Sequence, residues 1–213
     1  DEVYNYSDAI NANPDIAIVS NPTSMHLDTA KRVLPHLKGI FIEKPLSNSI
    51  DGCDDLIESC NEKSIVNFIA HNLLFHPIIK SIKQFFNEND LGRIINTQLQ
   101  VGQWLPDWHP DEDYRKSYFS RSDLGGGVAL TLIHEIYLAI ELAGSPKEVV
   151  GYMSDDHQLE VDVDVISDLM IKHEDNVVSQ IHLDYLQKNS HRSGLISCER
   201  GWITYDFNMA RVT

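Results

Sequence analysis

Three places in this sequence combine residue types that could do chemistry. The first is Glu43-Lys44-Pro45, which follows directly on the apolar run Ile40-Phe41-Ile42. A lysine at the end of a strand, beside a glutamate and stiffened by a proline, can hold a reacting hydroxyl or the negative charge that develops on it. An ordinary solvated turn with a neighbouring charge pair is the alternative. The second place is His134, which closes the run Gly125-Gly126-Gly127-Val128-Ala129-Leu130-Thr131-Leu132-Ile133-His134. On a helix, Thr131, His134, Glu135 and Leu138 would share one stripe. A histidine with a hydroxyl or carboxylate neighbour can act as a general acid or base near neutral pH, and a satisfied core histidine reads equally well. The glycine triplet allows backbone to approach a ligand closely, or simply makes a loop. The third place is the loop Trp104-Leu105-Pro106-Asp107-Trp108-His109-Pro110, followed by Tyr114-Arg115. Aromatic faces beside Asp, His, Tyr and Arg suit a carbohydrate; alternatively Trp104 and Trp108 anchor the loop in a small satellite core. The other histidines, including His157, His173, His182 and His191, have no ligand spacing, so no zinc site is expected. Neither a G-x-S-x-G elbow nor a phosphate-binding P-loop is present.

The elements that must position these groups are legible from periodicity. Ile16–Val19, Ile40–Ile42 and Ser64–Ile69 read as short strands, the first as a buried parallel one. Between them lie a helix capped by Thr23 or Ser24 and running to Leu37, and a second helix after Ser49 that carries Ile50, Cys53, Leu56, Ile57 and Cys60. This β-α-β-α-β order implies a parallel, doubly wound sheet. Beyond residue 71 the spacing predicts a helix opening at Pro77 with Ile78, Ile79, Ile82, Phe85 and Phe86. An alternating strand over Ile95, Thr97, Leu99 and Val101 follows, then an aperiodic loop from 103 to 123 and one apolar helix from Val128 to Leu142. Strands at 149–153, 161–171, 177–185 and 195–205 complete a largely antiparallel sheet covered on one face, with Val177, Ile181, Leu183 and Tyr185 pointing inward. The expected fold class is α/β: an incomplete Rossmann-type parallel sheet over residues 1–71, then a C-terminal α+β domain with an open, largely antiparallel sheet over 72–213.

Composition bounds the function. The 213 residues hold 17 Lys+Arg against 32 Asp+Glu, a formal charge of −15, which argues against a nucleic-acid partner that would require a basic face. No apolar run reaches the roughly 18–20 residues of a membrane span, so no membrane partner is expected. Three cysteines, Cys53, Cys60 and Cys198, have no metal spacing and read as reduced thiols of a cytoplasmic protein.

Read in order, Pro14-Asp15-Ile16-Ala17-Ile18-Val19-Ser20-Asn21-Pro22-Thr23-Ser24-Met25-His26, Phe41-Ile42-Glu43-Lys44-Pro45-Leu46, Asn72 through Phe75-His76-Pro77, Leu91-Gly92, and Gly125-Gly126-Gly127 through His134 resemble the glucose–fructose oxidoreductase and inositol dehydrogenase (Gfo/Idh/MocA) family from about Val3 to Tyr205. The loop from Trp104 to Arg115 further resembles members associated with bacterial surface-sugar biosynthesis. The resemblance implies an oxidoreductase that uses NAD or NADP on a hydroxyl or keto group of a sugar or nucleotide sugar. It places Asn21, Pro22, Thr23, His26, Glu43 and Lys44 around the cofactor, and Lys44, His134 and Thr131 at the chemistry. Asn72, Tyr114 and Arg115 are implied as substrate contacts, and a homo-dimer or homo-tetramer through the C-terminal sheet as the assembly. The sequence departs from the family pattern in three ways. The family's G-x-G-x-x-G would precede the first matching strand, so the resemblance implies chain missing at both ends, and weak or no dinucleotide binding by these 213 residues alone. Thr131 and Tyr137 stand at usual Asp positions. Leu74 stands at a common Arg position. A non-catalytic relative that binds a sugar or a protein partner is the second expectation.

Overall fold

The computed structural model describes residues 5–88, 90–155 and 158–213; Val3 and His157 lie outside the described residues. The chain divides into two units, one running to His71 and including Ser122–Gly126, the other holding Asn72–Arg121 and Gly127–Thr213.

The first unit runs α1 (Tyr6–Asn11), β1 (Ile16–Val19), α2 (His26–Val33), β2 (Gly39–Ile42), α3 (Cys53–Glu62) and β3 (Val66–Ile69). Asn5 caps α1 by accepting the Asp8 N–H. The strands are parallel in the order β1-β2-β3, with Val19, Ile42 and Ile69 in one row. Val19, Ile40 and Ile42 pack under α2 and α3 with Ala30, Leu34, Leu56 and Cys60, as side chains alternating across the pleat require. The expectation that β1 is buried holds for half of it. Ile18 is 71% exposed and Val66 on β3 is 75% exposed, because both helices cover the same face of the sheet. Neither Thr23 nor Ser24 caps α2 with its side chain: residues Thr23–Met25 form a 3-10 turn that leads into the helix. Pro35 likewise turns the end of that helix into a 3-10 turn, Leu34–His36. Ile50 precedes α3 and is exposed.

The second unit runs α4 (Pro77–Glu88), β4 (Ile94–Gly102), a string of 3-10 turns, α5 (Val128–Thr131), α6 (His134–Ala143), β5 (Pro146–Ser154), β6 (Ile166–His173), β7 (Val178–Asp184), β8 (His191–Cys198), β9 (Gly201–Asp206) and β10 (Arg211–Val212). The sheet order is β10-β9-β8-β4-β7-β6-β5, antiparallel throughout except for the parallel pair β4–β7. Leu99, Val101, Ile181, Leu183, Tyr185, Ile196 and Ile203 form one face of the core with Ile79, Ile82 and Leu138. The opposite face carries Gln98, Gln100, His182, Asp168, Met170 and Trp202 and lines an open trough of about 1070 Å³. His182 there lies 2.7 Å from Asp168 and 3.2 Å from Asp184, which push it up to about 9 against the desolvation of its ring. The expected strand at 161–171 begins only at Ile166, and the stretch 195–205 is divided between β8 and β9.

The single helix expected from Val128 to Leu142 is two helices, broken at Leu132–Ile133. Each half is anchored separately. The Asp164 carbonyl accepts from the Val128 N–H at 3.0 Å, and the Asp164 carboxylate accepts from Ala129 at 3.0 Å. Glu135, 1% exposed, accepts two charge-assisted bonds from Arg192 of β8, at 2.6 and 2.9 Å. Thr131 and His134 therefore belong to different helices rather than to one stripe.

Candidate active site

In an open parallel sheet, ligands gather beyond the carboxyl ends of the strands. In the first unit those ends are Ser20-Asn21-Pro22 after β1, Glu43-Lys44-Pro45 after β2 and Ala70-His71 after β3. The ladder continues past the strands: the Glu43 N–H donates to Val19 O and the Ala70 N–H to Ile42 O, both at 2.9 Å. Glu43 and Lys44 are half-buried, with the Lys44–Pro45 peptide cis.

His26 sits beneath this edge, 2% exposed, its Nδ1 at 2.8 Å from Pro45 O and its Nε2 at 2.7 Å from Asn21 O. Both neighbours are backbone carbonyls, so the buried ring lies between the turn after β2 and the end of β1, donating from whichever nitrogen carries a proton. Thr23 is equally buried. These two residues therefore act from below, shaping backbone, while Asn21, Pro22, Glu43 and Lys44 keep surface that a ligand can reach. The Asn21 amide donates to Thr29 Oγ1 at 2.8 Å, and its buried Oδ1 has no partner among the described residues. Replacing His26 by alanine is expected to cost roughly 2–3 kcal/mol, through a lost buried hydrogen bond and the cavity left behind. Urea denaturation followed by circular dichroism would read this, and a change within error of zero would contradict the clamp.

The glycine triplet approaches protein rather than open space. A Cβ on Gly125 (φ +77°) would sit 2.9 Å from the Ser24 nitrogen, and one on Gly127 (φ +109°) 2.2 Å from Asp164 Oδ1. In the second unit His134 is half-buried at the first residue of α6. Thr131 is buried, and the Tyr185 phenol, which donates to Phe119 O at 3.4 Å, is pushed well above its ordinary value by burial. Trp108 packs against Phe119 and Tyr185, with ring centroids 5.1 and 5.4 Å away. Trp104 and Trp108 thus join the main core, not a satellite one, and the loop gains its anchor there rather than an open stacking platform. Arg115 donates to Asp113 at 2.8 Å and to Glu160 at 2.6 Å, which raise its guanidinium and hold the Asp113 carboxyl low. Tyr114 packs on the core, and Asn72 is exposed in a 3-10 turn.

Sequence reasoning passed over His71, Asp164 and the Glu135–Arg192 pair. His71 had a readable signal, because it follows β3 as Lys44 follows β2. The other three are joined by contacts between residues far apart in the chain, which periodicity does not encode.

Residues 79–204 match the GFO/IDH/MocA C-terminal domain, and residues 2–71 match the oxidoreductase family with an NAD-binding Rossmann fold. The chain belongs to the Gfo/Idh/MocA family. Its first unit is that family's NAD-binding Rossmann domain. Similar curated proteins include 2,7-anhydro-N-acetylneuraminate hydratase of Escherichia coli, 24% identical over 136 residues that are 64% of this chain and 35% of the relative. Levoglucosan dehydrogenase of Pseudarthrobacter phenanthrenivorans is 28% identical over 145 residues, 66% of this chain and 36% of the relative. Among solved structures, the WlbA dehydrogenase of Bordetella pertussis in complex with NADH and UDP-GlcNAcA superposes with a TM-score of 0.85 at 17% identity, covering 98% of this chain and 65% of that one. The chain thus spans about a third of the curated relatives it matches.

Proposed function

We propose that the protein is an NAD- or NADP-dependent oxidoreductase that acts on a hydroxyl or keto group of a sugar or nucleotide sugar. The observation that carries this reading is Lys44, held half-buried at the carboxyl end of β2 by a turn that His26 clamps from beneath. The bound cofactor supplies the hydride acceptor or donor. Lys44 donates to the reacting oxygen and stabilises its negative charge, and Glu43 and Asn21 border the cofactor. In the second unit His134 exchanges the hydroxyl proton, and Asn72, Tyr114 and Arg115 contact the sugar. Names among the relatives and neighbours support a sugar substrate: levoglucosan dehydrogenase, D-xylose dehydrogenase and UDP-N-acetylglucosamine 3-dehydrogenase. The resemblance of the 104–115 loop supports a role in bacterial surface-polysaccharide synthesis. Residues 1–71 then serve the cofactor, and 72–213 serve substrate binding and assembly. Three free thiols, two of them buried, favour a reducing cytoplasm. Titrating the protein made from its complete reading frame with NADH and NADPH, by nicotinamide fluorescence, is expected to give saturable binding of at least one; binding of neither would end the reading.

The open face of the seven-stranded sheet supports assembly through a second copy, as a homo-dimer or homo-tetramer. Light scattering at micromolar concentration is expected to give a mass at least twice that of the monomer. A monomer there would remove this part. A second functional reading, a non-catalytic sugar- or partner-binding relative, draws on Thr131, a buried hydroxyl at a position where the family resemblance implies an Asp. Cofactor binding without turnover of any sugar would favour it.

A further inference from the structure

Lys44 does not end its sheet alone. Ile42 and Ile69 are paired in the parallel ladder of β2 and β3, and the Ala70 N–H to Ile42 O bond carries that ladder one step further. Two residues beyond the paired isoleucines stand Lys44 after one strand and His71 after its neighbour, where the His71 N–H turns back to Ile69 O at 2.7 Å. We propose that His71 is a positioning residue for Lys44, its imidazole holding the ammonium at the mouth of the cofactor edge. This rests on the dehydrogenase reading and adds to it a residue of the first unit.

The chemistry follows from the inventory of each group. A neutral imidazole offers one ring nitrogen as an acceptor for an ammonium N–H, whereas an imidazolium offers only donors and a like charge. The half-buried ring is disfavoured in its charged form, first by desolvation and then by the Lys44 ammonium, so His71 lies below its ordinary 6.5. The neighbouring titratable groups are accounted for. Glu43 precedes Lys44 on the same turn, and the His26 ring lies between two carbonyls beneath that turn. The sign is then fixed. His71 is neutral above pH 6.5, and activity that depends on Lys44 falls only as acid converts the ring to imidazolium.

Two arms test this. In the first, the titration of the His71 ring is followed by NMR in the histidine-labelled protein, with the resonance assigned by its loss in His71→Asn. Lys44→Met is expected to move the His71 midpoint upward toward 6.5. An unmoved midpoint overturns the pairing, whatever the protein catalyses. In the second, kcat for sugar oxidation is measured against pH. The wild type is expected to lose rate on the acid side at the midpoint that NMR reports. His71→Asn is expected to lose that limb and to run about 10- to 100-fold slower, as misplacement of a catalytic group does, with little change in the sugar KM. His71→Gln, which keeps an acceptor near ring size, is expected to recover part of the rate without recovering the limb. An acid limb that persists unchanged in His71→Asn overturns the proposal. If the midpoint moves as expected but no sugar turns over, the dehydrogenase reading falls and the Lys44–His71 pair stands.

Discussion

Replacing Lys44 by methionine is expected to lower kcat for sugar oxidation by roughly two to three orders of magnitude, the effect of removing one donor from a developing oxyanion. Methionine keeps the length and the apolar stem, so the turn clamped by His26 should survive, and NADH affinity should change much less than turnover. The pattern of the kinetics matters as much as the size. A role confined to ground-state binding would raise KM and leave kcat alone, whereas a group that acts on charge in the transition state lowers kcat and kcat/KM together. Arginine is not expected to substitute, because its planar fork places its donors differently from a single ammonium. Steady-state kinetics on wild type, Lys44→Met and Lys44→Arg decides this.

The largest stability effect is expected from Arg192. Its guanidinium makes two bonds to Glu135 at 2.6 and 2.9 Å, with the Glu135 side chain 1% exposed and that of Arg192 23% exposed. Arg192→Ala leaves a buried carboxylate without its cation and is expected to cost about 3 kcal/mol, the lower end of the range for breaking a buried pair because Arg192 still reaches solvent. Glu135→Ala should cost less, since the freed guanidinium can turn toward water. Denaturant midpoints of the two single variants and the double variant would measure the coupling. Equal and additive losses would show that the pair does not anchor α6.

This pair also explains what could and could not be read from the sequence. The three strands of the first unit show as short apolar runs, and α4 with Ile78, Ile79 and Ile82 and the inward row Leu99 and Val101 follow from apolar spacing, because burial on one side leaves a period in the chain. The break between α5 and α6 leaves none. It is set by Asp164, 35 residues from the Ala129 it holds, and by Arg192, 57 residues from Glu135. Glu43-Lys44-Pro45 was legible because a charged turn directly after an apolar strand marks a strand end. His71 occupied the equivalent place after β3 but lacked a striking neighbour of its own, and only the parallel register brings it level with Lys44. The two tryptophans misled for a related reason: an aromatic side chain in a polar loop has the same appearance whether it stacks on a ligand or, like Trp108, on Phe119 and Tyr185. His182 has no ligand spacing along the chain. The antiparallel register of β6 and β7 places Asp168 opposite it all the same.

The measurement that bears most directly on the account is hydride transfer itself. The protein from its complete reading frame is mixed with NAD or NADP and, in turn, with nucleotide sugars and free sugars, and the absorbance of reduced nicotinamide is followed for wild type and Lys44→Met. The account predicts that at least one sugar reduces the cofactor and that Lys44→Met all but abolishes the signal. Failure of every sugar to reduce a cofactor that demonstrably binds, or turnover by Lys44→Met at the wild-type rate, would contradict it.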